Sequence, residues 1–205
     1  MKKTHGQPVI GKVRRYAAQL LTVVLFSAAA QAHAEWTLNG DKSALNFVTT
    51  KAVDINEIQG FKGLRGTVGK DGKAELNISL ASISTGIPIR DERMSKYLFE
   101  AERFAEATLS TQVPIADLAK LAAGQSTELR LEGELAMRGF KVPVTSDAQV
   151  IKLQDGSLQV NSMAPVIVNG NDLGLVAGIE KLRELAGLPS IGKSVSVTYR
   201  LNFSR

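Results

Sequence analysis

Apolar and polar residues alternate one by one along much of this chain. Near the C-terminus Val195, Val197, Tyr199, Leu201 and Phe203 alternate with Ser194, Ser196, Thr198, Arg200 and Asn202. That period of two predicts a strand with one buried and one wet face. Ala74, Leu76, Ile78 and Leu80 repeat it, as do Leu129, Leu131, Leu135 and Met137, and a shorter run holds Leu45, Phe47 and Thr49. Turn chemistry separates the runs. Asp71-Gly72 and Asp155-Gly156 each sit between alternating segments, and Arg138-Gly139 marks a third turn. Such dipeptides are strong local hairpin signals. Consecutive hairpins predict an antiparallel meander of about eight strands. A sheet with one apolar face must pack on a second sheet or close on itself, and closure at about eight strands leaves room for one apolar ligand.

Three stretches carry helical rather than alternating spacing. Residues 91–103 place Met94, Leu98 and Ala101 on one side, with Asp91 as the expected N-cap. Residues 117–123 precede Gly124, and residues 179–186 precede Gly187 and Pro189, both helix-stop patterns. These few helices suit the ends or edges of a barrel. The segment 173–179 reads as a strand or loop over a barrel end, or as a membrane-contact loop. Gly60, Gly63, Gly66 and Gly69 recur every third residue and match no phosphate-binding fingerprint. They read as strand glycines that permit curvature.

The first 34 residues follow another rule. Lys2, Lys3, Lys12, Arg14 and Arg15 precede a 15-residue apolar run, Tyr16 to Ala30, and then Ala32-His33-Ala34. This layout predicts a cleaved secretory signal with the mature chain, residues 35–205, starting at Glu35 in a periplasm. A spanning anchor would need about 20 apolar residues. Five of the 25 basic residues and none of the 20 acidic ones lie in the leader, so the remaining 171 residues carry 20 of each. The net charge of +5 therefore belongs to the leader and gives no reason to expect nucleic acid.

Both histidines, His5 and His33, also fall in the leader, and the chain has no cysteine. Triads and dyads that need imidazole or thiolate are excluded, as are metal sites built from them. No cofactor is expected. An exported domain without disulfides must rely on its own core, which about 170 residues can supply. Ser84, Ser95 and Lys96 offer a formal hydrolase alternative, but nothing around them marks an activated nucleophile. The chain reads as a non-enzyme.

Three patches resemble one known family. SISTGIPIRDERMSKYLFEAERFAEATLST (82–111) is similar to the signature of the YceI-like family of exported, lipocalin-like proteins, with Ser84-Thr85, Arg90-Asp91, Phe99 and Phe104 at matching positions. GELAMRGFKVPV (133–144) resembles that family's late hairpin, and Asp172-Leu173-Gly174 with Ile191-Gly192-Lys193-Ser194-Val195 resembles its final block. The resemblance covers the whole mature chain. Leu98, Ala105, Leu109 and Leu173 depart from its aromatic or proline pattern.

The resemblance implies a mainly β fold, an eight-stranded antiparallel lipocalin-like barrel with a few short covering helices. It also implies a lumen that takes a long isoprenoid, a quinone or a fatty-acid-like lipid, as carrier or scavenger. Phe47, Phe61, Met94, Leu98, Phe99 and Phe104 are then expected near the hydrocarbon, although residue type alone favours a filled core for the phenylalanines. Arg90 is either the grip for an anionic head group or one half of a structural pair with Asp91. Other readings are an interaction module serving a membrane redox or quinone partner, and transient contact with a membrane or membrane protein. The oligomeric state is open.

Overall fold

The computed structural model describes Met1 and residues 34–205. The leader expected over residues 1–34 lies outside the described residues except for Met1 and Ala34. Among the described residues no helix is long and apolar enough to cross a membrane.

The alternating runs form an antiparallel meander. β1 (Ala34–Leu38) and β2 (Ala44–Lys51) make one bent stave, broken by the 3₁₀ turn Gly40–Lys42. β3 (Ile55–Phe61) and β4 (Leu64–Gly69) make the second. β5 (Lys73–Ser79) follows, then β6 (Ile83–Ser84), which pairs with β3. β7 (Glu106–Gln112), β8 (Ser126–Met137) and β9 (Phe140–Lys152) continue the wall. β10 (Leu158–Ser162) and β11 (Val166–Asn169) share one edge of β12 (Ser194–Ser204). The path β1-β4-β5-β7-β8-β9-β10-β12 closes through β12 and β1, with Leu38 opposite Phe203. The protein is thus a closed eight-stranded antiparallel barrel. Closure removes the exposed sheet edges that would otherwise need protection.

The hairpins fall where the turn residues place them. Arg138 and Gly139 both have positive φ, 52° and 83°, as a type I′ turn demands. Arg138 holds that backbone by donating from Nη1 to the Gly174 carbonyl at 2.9 Å and by pairing with Glu100. The early glycines serve close approach between bent staves. A Cβ at Gly60 would lie 2.8 Å from the Leu45 carbonyl oxygen, and one at Gly66 would lie 2.9 Å from that of Glu75.

The helices differ from expectation at their starts. α1 (Pro88–Arg93) begins three residues early and continues as a π-helical turn, Met94–Phe99. Proline supplies a ready-made first helical φ, so Pro88 rather than Asp91 opens the helix. Asp91 is not the N-cap. Its carboxylate turns back to accept from the Thr85 backbone N–H (2.8 Å) and hydroxyl. α2 (Ile115–Lys120) ends at Leu121, and Gly124 lies beyond it in a turn, donating its N–H to Lys152. α3 (Val176–Ala186) ends on Gly187 at φ 61°. The segment 173–179 runs into the first turn of α3 and buries Leu173, Leu175 and Ile179, so it packs on the barrel end rather than forming a membrane-contact loop.

The helices close the two ends of the barrel. α2, in the β7–β8 connection, presents Leu118 to the core at one end. α1, the π turn and α3 cover the other. There Gly178 lets α3 touch the π turn closely, because a Cβ would sit 2.6 Å from the Tyr97 carbonyl oxygen.

Candidate functional site

The inward faces of the strands do not meet. They enclose a cavity of about 510 Å³. Ligand pockets typically measure roughly 300–1,000 Å³ and are mostly apolar with a few placed polar groups. Here Trp36, Leu45, Val68, Leu76, Leu201 and Phe203 line the barrel half, and Val113, Ile115 and Leu118 line the far end. The buried core of this protein is therefore the wall of a lumen.

Of the seven residues expected near a ligand, Phe47, Phe61, Arg90, Met94, Leu98 and Phe99 line the cavity. Three of them form a continuous aromatic row, with centroids 5.6 Å apart from Phe47 to Phe61 and 5.6 Å from Phe61 to Phe99. Phe104 is not part of the lining and packs against the core from behind it. It lies past the left-handed residue Glu100, half-buried, with the guanidinium groups of Arg103 and Arg138 over its ring at 4.8 and 5.7 Å. Leu98, Leu109 and Leu173, where the chain departs from the family's pattern, all line the cavity.

The end covered by α1 and α3 carries the polar groups. Glu57 stands between Lys51 (2.9 Å) and Arg90 (2.6 Å). The hydrogen bond from Lys51 and the charge of Arg90 hold the Glu57 carboxyl below its ordinary range, against the opposing effect of burial. Arg90 also donates from Nη2 to the Thr85 carbonyl at 2.8 Å. The expected Arg90–Asp91 pair does not form. The two side chains instead brace Thr85 from two sides, and the ion partner of Arg90 is Glu57. Arg93 and Lys193 also line this mouth, and the charge of Lys193 contributes to holding the nearby Glu180 carboxyl below its ordinary range, after the hydrogen bond from Arg183.

Sequence reading passed over Lys51, Glu57 and Gln59. The signal was present, because 47, 49 and 51 and then 57, 59 and 61 continue the inward alternation through Phe47 and Phe61. Polar residues on an inward face mark either a mouth or a satisfied core group. Gln59 is the buried case, 5% exposed, and donates to the Thr49 hydroxyl at 2.9 Å while its Oε1 has no partner. A second polar pair lies in the wall, with the Tyr199 hydroxyl 2.8 Å from that of Ser146. Burial raises the Tyr199 pKa above its usual value, so the phenol stays protonated. Ser84 lies on β6, and Lys96 extends over the Tyr97 ring at 5.3 Å.

Comparison with known proteins agrees with this architecture. No curated protein matches the chain. A polyisoprenoid binding domain from Saccharophagus degradans, implicated in plant cell wall breakdown, superposes with a TM-score of 0.81 at 33% identity, over 83% of this chain and 98% of that one. BcnA of Burkholderia cenocepacia shares the fold at 18% identity and a TM-score of 0.60, over 80% and 98% of the two chains. A YCEI protein of Campylobacter jejuni does so at 14% and 0.50, over 72% and 84%. The YceI-like domain description matches residues 36–203, from the first strand of the barrel to the last, and the chain belongs to that family.

Proposed function

We propose that the protein holds the hydrocarbon of an isoprenoid, or of a similar amphiphilic lipid, in its lumen and serves as an exported carrier or scavenger. The observation that carries this reading is the cavity itself: a predominantly apolar lumen of about 510 Å³ whose basic side chains lie at the α1 and α3 end, with Glu75 on β5 lining the opposite half. Burying hydrocarbon contributes about 0.8 kcal/mol per methylene before the chain's ordering is subtracted. A few buried isoprene units therefore bind well without specific chemistry. The relative described as a polyisoprenoid binding domain, a third identical in sequence, supports the choice of chain. Lys51 and Arg90 are paired with Glu57, while Arg93 and Lys193 line the same mouth outside any salt bridge among the described residues, which favours a lipid whose polar end is anionic, such as a prenyl phosphate, over a neutral quinone. Export is supported by the basic, apolar and Ala-His-Ala pattern of the first 34 residues.

The chain's single tryptophan, Trp36, lines the lumen and reports on it. Titrating the delipidated protein with a prenyl phosphate should change Trp36 fluorescence saturably. An absence of change with every isoprenoid tried, while small polar ligands bind, would overturn the reading.

A further inference from the structure

Three chain segments ring the mouth, and they are tied to one another. The β2–β3 hairpin is joined to α1 by the Arg90–Glu57 ion pair at 2.6 Å. α1 is joined to the end of α3 by Arg93, which donates to the Leu185 carbonyl at 3.3 Å. The segment after α3 returns to the hairpin, with the Ala52 N–H donating to Ser190 at 3.0 Å and the Gly192 N–H to Thr50 at 2.7 Å. The mouth is therefore a braced ring rather than a set of loose loops.

Each segment of that ring turns a large apolar side chain to the outside. Val53 and Ile55 do so on the hairpin, Ile87 and Ile89 at the start of α1, and Leu185 at the end of α3. Ile87 and Ile89 also line the cavity, so apolar side chains at the start of α1 border both lumen and exterior. Val53 is 84% exposed at the hairpin tip with φ 78°. A β-branched residue there is strained, and Asn or Gly would suit the turn better. A tip that keeps an exposed valine against local preference points to a use for that side chain.

We propose that this ring is a membrane-docking surface. It seats the mouth on a bilayer containing anionic phospholipid, so that a chain passes between membrane and lumen without crossing water. The inference rests on the lumen being a lipid site. Arg93 and Lys193, which line the mouth and form no salt bridge among the described residues, match anionic head groups, while Lys51 and Arg90 are held by Glu57 and the apolar residues outside them enter the boundary beneath. Asp54, beside Val53 at the tip, sets a limit on the depth of entry.

The test compares the parent with the double variant Val53→Asn, Leu185→Gln. Neither residue lines the lumen, and asparagine relieves the left-handed turn, so folding is retained. Protein-free vesicles of phosphatidylcholine and phosphatidylglycerol carry a prenyl phosphate, and its transfer is followed by the change in Trp36 fluorescence. Loading of the same prenyl phosphate from detergent is measured in parallel. Detergent loading should match between the two proteins, while flotation with vesicles and the transfer rate should fall on the order of tens-fold in the variant, and Ile167→Asn, on the outer wall, should behave as the parent. Unchanged transfer by the double variant overturns the docking surface. So does a parent that loads from detergent yet ignores protein-free vesicles, which would make the ring's partner a protein. Failure to load from detergent overturns the lumen reading itself and is recognised separately.

Discussion

Replacing Phe99 with alanine separates a lumen wall from a filled core. The ring is 4% exposed and packs against Phe61, tilted by 57° with centroids 5.6 Å apart. In a filled core Phe→Ala costs about 3–5 kcal/mol. Here one side of the ring faces the cavity, so the empty protein loses contacts on the other side only, and about 2–3 kcal/mol is expected. For a domain of this size that lowers Tm by roughly 4–12 °C. The lumen side matters once lipid is bound. Half of the roughly 1.5–3 kcal/mol that a buried phenylalanine contributes is about 1 kcal/mol, or about fivefold in Kd. Unfolding of delipidated and lipid-loaded protein, followed by Trp36 fluorescence, measures both effects. The loaded form should lose about 1 kcal/mol more than the empty one. A cost of about 4–5 kcal/mol in the empty protein with unchanged lipid affinity would refute the reasoning, because the ring would then be enclosed by protein on all sides.

Glu57 gives a pH test. Its folded pKa lies below the ordinary 4.5, so its contribution is present above that value and is lost as pH falls through the lowered one. Urea midpoints should decline on acidification below the ordinary value, and Glu57→Gln should remove part of the decline while lowering stability at neutral pH. Tyr199→Phe leaves the Ser146 hydroxyl without its partner and should cost about 1 kcal/mol in urea unfolding. The same variant should delete a component of the tyrosinate absorbance titration that lies above the ordinary tyrosine range, as the raised pKa requires. Gly178→Ala drives a methyl to 2.6 Å from the Tyr97 carbonyl oxygen and should cost roughly 1–3 kcal/mol, loosening α3 and speeding loss of bound lipid. Intact-mass analysis of the exported protein should show a chain starting at Glu35, and retention of residues 16–30 in a membrane fraction would contradict the leader.

Strands and hairpins were legible because their signals are local. A period of two shows in β12 or β8 without any partner, and Asp-Gly or Arg-Gly turns declare themselves. Closure was not legible from the pattern, because pairing Leu38 with Phe203 joins the two ends of the chain. The bends were hidden too. The break between β1 and β2 depends on Asn39 accepting from the Lys42 N–H and on Ser43 bonding back to the Asn39 carbonyl, an ordinary polar cluster in sequence. Phe104 was expected near the ligand from its match to the family's signature, and it falls outside the lining past Glu100, whose backbone is left-handed. Glu57 escaped notice because a charge in a strand usually faces water. Only the mouth, assembled from segments far apart in sequence, gives it two cationic partners.

The central claim is that the lumen carries a long hydrocarbon. Protein exported with its own leader and purified without detergent can be examined by native mass spectrometry, and its organic extract by lipid mass spectrometry. The account predicts a bound species whose fragments show the regular five-carbon loss of an isoprenoid chain, released together with unfolding and reduced in Phe99→Ala. Protein that emerges lipid-free from isoprenoid-rich cells, and that stays so after incubation with excess prenyl phosphate, would contradict it.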